Sequence, residues 1–358
     1  MEKIKIAIVG TGNIAKSAHM PVYKKRDDVE VIACADIDFE KARAFAAQFD
    51  IPAAYASVEE LLASCKPDFV DVCTWPAAHA PVAIAAANAG CHVMCEKPIC
   101  HNLADALALK EAVLKNGVKF MLAVPLRYGD SAVKARQLVD EGVLGDVYYG
   151  KTAYVRQRGI PGGWFSCSKY SGGGPIIDIG VHRIDLAWYM MGCPKPVSVL
   201  ASAVYKIGDY RDETKVDTVS DEVSANNEWT GAQVADYKFD VEDSASGVFR
   251  FENGAQLLFE TAWTFNGPDN NTTQIAGDKA GITLEPFKLY KADGKDLVEE
   301  TLEGDLGDFF GNEIAHFIDC IRNDRTPSSS IEQAVQLQRM LVGIYESSKL
   351  GREVSLKD

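Results

Sequence analysis

IKIAIVGTGNIAKSAH, residues 4–19, decides the fold of this chain. Its first six residues are apolar apart from one lysine, as a parallel strand covered on both faces requires. Gly10-Thr11-Gly12-Asn13-Ile14-Ala15 follows directly and leads into a predicted helix. A G-x-G-x-x-A run between a strand and a helix is the fingerprint of a dinucleotide-binding unit. The stretch therefore predicts a Rossmann-type start to the chain.

The small residues of the fingerprint each have a physical reason. Gly10 permits the tight turn, Gly12 lets the backbone reach a pyrophosphate, and Ala15 lets the helix pack close to the strand. The helix N-terminus then offers free N–H groups and a partial positive charge to the anion. We therefore predict that the loop binds the cofactor through Gly10, Thr11, Gly12, Asn13 and Ile14.

Asp36 ends the second predicted strand, 21 residues after Ala15. A carboxylate there can accept hydrogen bonds from the adenosine ribose and would repel a 2′-phosphate. Ile37 supplies no compensating cation, so NAD is predicted and NADP is less favoured. The alternative is a helix-capping aspartate, a role that Asp38 can fill.

The bulk composition excludes some functions. With 358 residues the chain is long enough for two domains with their own cores. Its 37 lysines and arginines against 51 aspartates and glutamates give a net charge of −14, so neither a nucleic acid nor an anionic membrane is an expected partner. We find no signal peptide and no run of about 20 apolar residues, which predicts a cytoplasmic protein.

Nine cysteines, an odd number, stand among apolar neighbours. Such cysteines are typical of reduced, packed thiols. Cys91, Cys95 and Cys100 are close enough in sequence for a metal cluster to be an alternative. Their positions on and after a predicted strand favour packing, so no metal is predicted.

Strand and helix alternate over residues 1–124, which predicts an α/β Rossmann-type domain with a parallel sheet. The pattern then changes, and Asn253-Gly254 between two strand-like runs is a strong hairpin signal. We predict an NAD-binding domain at 1–124 and, at 125–358, an α+β domain for substrate and oligomerisation with a large, mainly antiparallel sheet. Two C-terminal amphipathic helices could pack back on the first domain. The acidic stretch 209–242 is predicted to be a loop or insertion.

Three motifs in order resemble the Gfo/Idh/MocA family, the glucose–fructose oxidoreductase and inositol dehydrogenase group. They are the N-terminal fingerprint, Glu96-Lys97-Pro98 after a predicted strand, and GGGPIIDIGVHRIDL at 172–186, which is similar to the family's glycine-rich run followed by Asp-x-x-x-His. The resemblance covers nearly the whole chain. It implies an NAD-dependent oxidoreductase that acts on a CH–OH group of a sugar, inositol or glycoside.

Two motifs depart from the family pattern. Thr74-Trp75-Pro76 stands where the family often has Thr-Pro-Asn, with His79 following in place. Pro125-Leu126-Arg127-Tyr128 lacks the asparagine that is common just before the arginine. Both changes concern the expected nicotinamide and substrate pocket, so they bear on substrate fit and not on the class of enzyme.

By this resemblance, Lys97, Asp178 and His182 form the catalytic set. Lys97 lies at the carboxyl end of a parallel strand, where such sheets bind ligands, and its amine can exchange a proton with a hydroxyl. Asp178 and His182 are four apart, so one helix face carries both. His182 is the better base or acid because its reference pKa is near neutral. The alternatives are a surface lysine, a helix-capping aspartate, a core histidine, or an Asp–His metal pair that lacks an evident third ligand.

Further site residues follow from position and chemistry. The remaining cofactor-binding predictions lie at strand ends and are Thr74, Trp75, Pro76, His79, Glu96 and Lys97. The substrate-binding predictions are Lys97, Arg127, Tyr128, Arg158, Trp164, Asp178 and His182. Arginine forks and aromatic faces suit a polyhydroxylated ring, although each could equally pack at a domain interface. Asp185 is predicted to be structural, because it lies on the other side of the turn from His182.

The predicted reaction is NAD-dependent oxidation of a secondary hydroxyl, with hydride passing to nicotinamide C4 and the proton to His182 or Lys97. The expected partner is a carbohydrate or polyol, and we expect a homodimer or homotetramer formed through the second-domain sheet. One alternative is an NAD-recycling glycosidase or lyase that acts through a transient 3-keto sugar. Another is a non-catalytic NAD-binding sensor, against which the presence of all three catalytic residues argues.

Overall fold

The computed structural model describes residues 2–208 and 239–357. Two compact units make up the chain: unit 1 contains residues 1–124 and 310–338, and unit 2 contains residues 125–309 and 339–358. Most of the acidic stretch predicted to be a loop lies outside the described residues, and only its last four residues are described.

Unit 1 is built on a six-stranded parallel sheet with the order β3-β2-β1-β4-β5-β6. The strands are β1 (Ile4–Val9), β2 (Val29–Ala35), β3 (Ala53–Tyr55), β4 (Phe69–Val72), β5 (His92–Glu96) and β6 (Phe120–Ala123). Every residue of β4 and β6 is buried, as helices on both faces require. The predicted Rossmann-type sheet is confirmed, because this strand order is that of the dinucleotide-binding fold. The short β3 was not predicted, since three residues show no periodicity.

Five helices of unit 1 connect its strands. They are α1 (Met20–Lys24), α2 (Phe39–Phe49), α3 (Val58–Ser64), α4 (Pro76–Asn88) and α5 (Leu103–Asn116). Side-chain caps start several of them: the Ser57 hydroxyl accepts from the backbone N–H of Glu60 at 3.2 Å before α3, and the Asn102 amide oxygen accepts from Asp105 at 2.9 Å before α5. A π-helical segment, Ala15–His19, precedes α1.

Unit 2 contains a nine-stranded, mainly antiparallel sheet with the order β14-β13-β12-β11-β7-β10-β9-β8-β15. Its strands are β7 (Val147–Val155), β8 (Pro196–Val204), β9 (Ser244–Phe251), β10 (Gln256–Ala262), β11 (Asn270–Gly277), β12 (Ala280–Leu284), β13 (Phe287–Asp293), β14 (Asp296–Thr301) and β15 (Val354–Ser355). The predicted hairpin around Asn253-Gly254 is confirmed as the antiparallel pair β9–β10. One pair, β7 with β10, is parallel.

The helices of unit 2 pack on this sheet or follow it. They are α6 (Asp130–Asp140), α7 (Ser168–Ser171) and α8 (Val181–Met190), with a π-helical segment, Ile176–Gly180, leading into α8. After β14 come α9 (Phe309–Arg322) and α10 (Ile331–Leu350), which precede the short strand β15. Residues 310–338, which include most of α9 and the start of α10, belong to unit 1.

None of the helices within residues 2–208 and 239–357 has the length and apolarity needed to cross a membrane. All nine cysteines lie within these residues, and each carries a free thiol.

Candidate active site

The fingerprint loop begins at Gly10, directly after β1. Its φ angle is +94°, and a Cβ built there would lie 2.6 Å from the carbonyl carbon and oxygen of Cys73. Since such contacts do not occur between real atoms, only glycine fits here. The ends of β1 and β4 therefore approach each other closely beside the loop.

The next residues of the loop fit an anionic ligand. A Cβ built at Gly12 would meet no atom within 4 Å, so the backbone is open on that side. The buried side-chain nitrogen of Asn13 has no hydrogen-bond partner among the described residues. A buried hydrogen-bond donor without an acceptor destabilises the protein, and a bound ligand can supply that acceptor. A loop with an accessible backbone and such a donor suits the pyrophosphate of a dinucleotide.

Asp36 holds the loop from the end of β2. One carboxylate oxygen accepts hydrogen bonds from the backbone N–H and the hydroxyl of Thr11, both at 2.9 Å. The other oxygen accepts from the backbone N–H of Asp38 at 3.0 Å. Asp38, and not Asp36, caps α2, because its side chain accepts a hydrogen bond from the backbone N–H of Lys41. Ile37 is 76% exposed and brings no cation. The ribose role of Asp36 stays a prediction.

His79 links the loops that follow β4 and β5. Its Nδ1 lies 2.6 Å from the carbonyl oxygen of Pro98, and its Nε2 lies 2.9 Å from that of Thr74. Burial lowers the pKa of His79, although the two carbonyl groups oppose this. Trp75 precedes α4 and Pro76 begins it. The contacts give His79 a structural role, and the predicted cofactor contacts of this segment remain predictions.

Lys97 follows β5 directly. The carboxylate of Glu96, the last residue of the strand, accepts a hydrogen bond from the backbone N–H of Lys97 at 3.1 Å. The peptide bond between Lys97 and Pro98 is cis. Lys97 is half-buried, and Glu96 is buried. Lys97 therefore follows the carboxyl end of its strand on the same side of the sheet as the fingerprint loop, since β5 neighbours β4 and β4 neighbours β1.

In unit 2, Asp178 and His182 lie on the π-helical segment and on α8. From residue 173 to 188 these two are the only partly exposed residues, and all the others are buried. A π-helical turn is rare and occurs frequently at functional sites. The structure thus presents to solvent from this segment the aspartate and histidine that the motif singled out.

The start of this segment is held by Glu242, which the sequence did not single out. Its buried carboxylate accepts hydrogen bonds from the backbone N–H groups of Gly174 and Ile176, each at 3.0 Å. The hydroxyl of Tyr345 donates to the same carboxylate at 2.9 Å. A carboxylate at a helix N-terminus is favourable because it meets free N–H groups and the positive end of the helix dipole. Glu242, and not Asp178, therefore caps the helix.

The glycine run serves this packing. A Cβ at Gly173 would collide with the hydroxyl of Tyr345, and one at Gly174 would collide with the backbone oxygen of Glu242. These two glycines therefore make room for Glu242 and Tyr345.

Arg127 and Asp185 form a buried ion pair within unit 2. The guanidinium donates to both carboxylate oxygens, at 2.7 and 2.6 Å. A bidentate pair of this kind fixes both side chains. The contacts fit the structural role expected for Asp185. They do not favour the predicted substrate role of Arg127, which remains a prediction.

The other substrate-binding predictions also lie in unit 2. Tyr128 is buried. Arg158 is exposed and donates to the backbone oxygen of Phe265 and to the side chain of Asn266. Trp164 is half-buried and stacks on Phe165, with ring centroids 3.9 Å apart. Their substrate roles stay predictions.

The comparisons with known proteins agree with this architecture. A family model described as an oxidoreductase family with an NAD-binding Rossmann fold matches residues 4–124, and a GFO/IDH/MocA C-terminal domain model matches residues 132–283. A D-glucoside 3-dehydrogenase of Escherichia coli strain K12 is 30% identical over 358 residues, which cover 99% of this chain and 97% of that protein.

Solved structures are similar along the whole chain. An aldose–aldose oxidoreductase from Caulobacter crescentus, complexed with glycerol, has a TM-score of 0.78 and 25% identity, with 99% of this chain and 100% of that chain covered. A levoglucosan dehydrogenase in complex with NADH and L-sorbose has a TM-score of 0.84 and 21% identity, with both chains covered completely. The latter likeness shows the fold.

Proposed function

This chain belongs to the Gfo/Idh/MocA family of NAD-binding oxidoreductases, and we propose that it oxidises a secondary hydroxyl group of a sugar or glycoside with NAD. Position 3 of a D-glucoside is the first candidate for the carbon that is oxidised. This choice is supported by the 30% identity, over nearly the full length of both chains, to a protein named D-glucoside 3-dehydrogenase.

One observation carries the proposal. Four groups suited to binding NAD or transferring a proton follow the carboxyl ends of neighbouring strands in unit 1. They are the fingerprint loop after β1, Asp36 after β2, Thr74 after β4 and Lys97 after β5. Ligands of open parallel sheets bind at this edge, where the strand order reverses. Alcohol oxidation needs a group that accepts the hydroxyl proton, and the amine of Lys97, at the same end of the sheet as the fingerprint loop, can supply it.

Separate residues would bind the cofactor, accept the proton and orient the substrate. The loop from Gly10 to Ile14 and the carboxylate of Asp36 would hold NAD, which when bound supplies the acceptor for the hydride. The substrate hydroxyl gives its proton to the amine of Lys97 or to the imidazole of His182, and loss of hydride from the same carbon leaves a carbonyl. Asp178 accepts a hydrogen bond from a substrate hydroxyl and orients it. Each of these side chains is at least partly exposed.

A panel of polyols, free sugars and glycosides tests the proposal. Each compound is incubated with NAD and, separately, with NADP, and the absorbance band of the reduced nicotinamide is followed. We expect turnover with at least one glycoside or sugar and a preference for NAD. No turnover with any member would contradict the proposed function. Product formed without net NADH would instead indicate the NAD-recycling glycosidase or lyase.

A further inference from the structure

A cluster of polar side chains lies buried in unit 1 beneath the edge that carries Lys97. We call it the buried polar cluster, and its members are His19, Tyr23, Asp71, Cys73, Glu96 and Glu313. They come from the π-helical segment, α1, β4, the residue after β4, β5 and α9. Apart from Glu96, no member of the cluster belongs to the fingerprint or to the Glu-Lys-Pro motif.

Asp71 is the anchor of the cluster. It occupies β4, a strand inside the parallel sheet, and is fully buried. One carboxylate oxygen accepts from the hydroxyl of Tyr23 at 2.8 Å and lies 2.7 Å from Nδ1 of His19. The other accepts from the thiol of Cys73 at 3.5 Å. Burial of a charged group destabilises the folded protein unless the group is paired and hydrogen-bonded. These contacts reduce that destabilisation for Asp71.

His19 connects this anchor to the strand that precedes Lys97. Its Nε2 lies 3.2 Å from a carboxylate oxygen of Glu96, an ion-pair contact and not an aligned hydrogen bond. Both ring nitrogens therefore face carboxylates, an environment that favours the imidazolium form. Burial lowers the pKa of His19, but the charge of Asp71 and the hydrogen bond with Asp71 oppose this effect, and the pKa is raised well above its ordinary value. The widened turn of the π-helical segment ends at His19.

Glu313 completes the charge balance. It is fully buried on α9, where burial and then the charge of Glu96 raise its pKa well above the ordinary value, while His19 opposes the shift. The raised pKa favours the protonated, neutral form of Glu313. His19 contacts the carboxyl groups of the other two acids of the cluster, Asp71 and Glu96.

Glu96 is held at both of its oxygens. One contacts the His19 ring at 3.2 Å, and the other accepts from the backbone N–H of Lys97 at 3.1 Å. The carboxylate thus ties the histidine to the peptide from which the lysine side chain departs. Any movement of His19 would be passed to that peptide.

We propose that His19 is a positioning residue: anchored by Asp71, it clamps the carboxylate of Glu96 and so fixes the Glu96–Lys97 backbone that aims the catalytic amine. The inference rests on the proposed function, because it assigns His19 a role through Lys97. It also gives Glu96 a role that the Glu-Lys-Pro motif leaves open.

A metal ion is the competing interpretation of the same residues. His19, Asp71 and Cys73 each offer a ligand atom, and these atoms lie within 4.8 Å of one another. However, the 2.7 Å between Nδ1 and the carboxylate oxygen is a hydrogen-bond distance. Burial and the charge of Asp71 also raise the pKa of the Cys73 thiol, whereas metals bind the thiolate.

Two isosteric substitutions separate positioning from mere packing. In His19→Gln the amide nitrogen falls near the place of Nε2 and can still donate toward Glu96, whereas in His19→Asn it falls near Nδ1 and cannot. We expect His19→Asn to lower kcat on the order of 10- to 100-fold, because small misplacements of a reacting group have effects of this size. His19→Gln should recover most of that loss, with the sugar KM unchanged within about threefold for both variants.

Tyr23→Phe is the matched control, since it also removes a hydrogen bond to Asp71 but leaves the contact of His19 with Glu96. It should lower the melting temperature and leave kcat nearly unchanged. Equal kcat for His19→Asn and wild type, measured on the folded fraction, would overturn the proposal. So would equal losses of kcat in the asparagine and glutamine variants.

A measurement without substrate keeps this test separate from the proposed function. Nitrogen NMR of the histidine-labelled protein should show both ring nitrogens of His19 protonated at pH 7, and metal analysis of the purified protein should find no stoichiometric ion. A neutral ring, or one equivalent of metal lost on Cys73→Ser, would overturn the clamp. If no substrate turns over but His19 is charged, then the proposed function fails while the charged contact stands.

Discussion

The indole N–H of Trp263 donates a hydrogen bond to a carboxylate oxygen of Asp178 at 2.9 Å. The indole is fully buried, directly after β10, and packs with Ile160, Ile179 and Val241. Buried indole N–H groups generally find a partner, and here the partner is a half-buried carboxylate. The core of unit 2 therefore sets the orientation of the aspartate that we propose to bind the substrate.

Trp263→Phe should test this relationship. It keeps an aromatic ring in the core but removes the donor, so Asp178 loses this orienting hydrogen bond. We expect kcat/KM for the sugar to fall about tenfold, equivalent to about 1.4 kcal/mol. Trp188→Phe is the matched control, because its buried indole donates to the carbonyl of Pro194 and not to Asp178. An equal kinetic effect of both substitutions would contradict the orienting role.

Asp36→Ala should weaken the preference for NAD. The carboxylate repels a 2′-phosphate and is proposed to accept from the ribose. We expect the KM for NAD to rise about tenfold and the ratio of kcat/KM for NAD over NADP to fall by a similar factor. Asp38→Ala is the control: it removes the cap of α2, with a cost of about 1 kcal/mol, and should leave the preference unchanged.

Glu313→Gln should stabilise the protein increasingly as pH rises. The pKa of Glu313 is raised in the folded state, so the folded protein holds this proton while the unfolded chain releases it above about pH 4.3. Its contribution to stability is present below that pH and is lost as pH rises toward the folded-state pKa. Glutamine cannot ionise and avoids this loss.

The measurement is the melting temperature of Glu313→Gln minus that of wild type between pH 4.5 and 8. The difference should grow in favour of the variant toward pH 8. The exposed Glu346→Gln on α10 serves as the reference, and its difference should change little. A difference for Glu313→Gln that is constant or falls with pH would show that the buried carboxyl is not protonated in the folded state.

Lys97→Met should abolish most of the activity. Methionine keeps much of the length of the side chain but has no amine to exchange a proton, and loss of a general acid or base typically costs 10²–10⁴-fold. We expect a fall in kcat of about 10³-fold. Lys66→Met, at an exposed position before β4, should behave like wild type. Full activity in Lys97→Met would contradict the proposed role of this lysine in proton transfer.

Local sequence patterns predicted much of unit 1, because each of its main strands and helices has a periodic run and many have a cap or glycine at their ends. The motif at 172–186 singled out Asp178 and His182, which lie before and on α8 and are partly exposed. What they could not predict are pairings between distant residues. Glu242 lies 68 residues from Gly174, and Trp263 lies 85 residues from Asp178.

The buried polar cluster was missed for a related reason. The run DFVDVCT, residues 68–74, lies within the strand and helix alternation predicted for residues 1–124, and β4 forms within it. Whether Asp71 faces solvent or another charge depends on His19, which is 52 residues away in a different element. The short strands β3 and β15 were likewise invisible, because they form by adding to the edge of a sheet that other segments build.

We propose that this protein removes a hydride from a secondary carbon of a sugar and passes it to NAD. The most direct measurement uses a D-glucoside deuterated at carbon 3, incubated with NAD, followed by mass spectrometry of the nicotinamide cofactor. We expect NADH that carries one deuterium per 3-keto product. Turnover of the labelled glucoside to a 3-keto product with unlabelled NADH, or no oxidation of any sugar or glycoside, would contradict it.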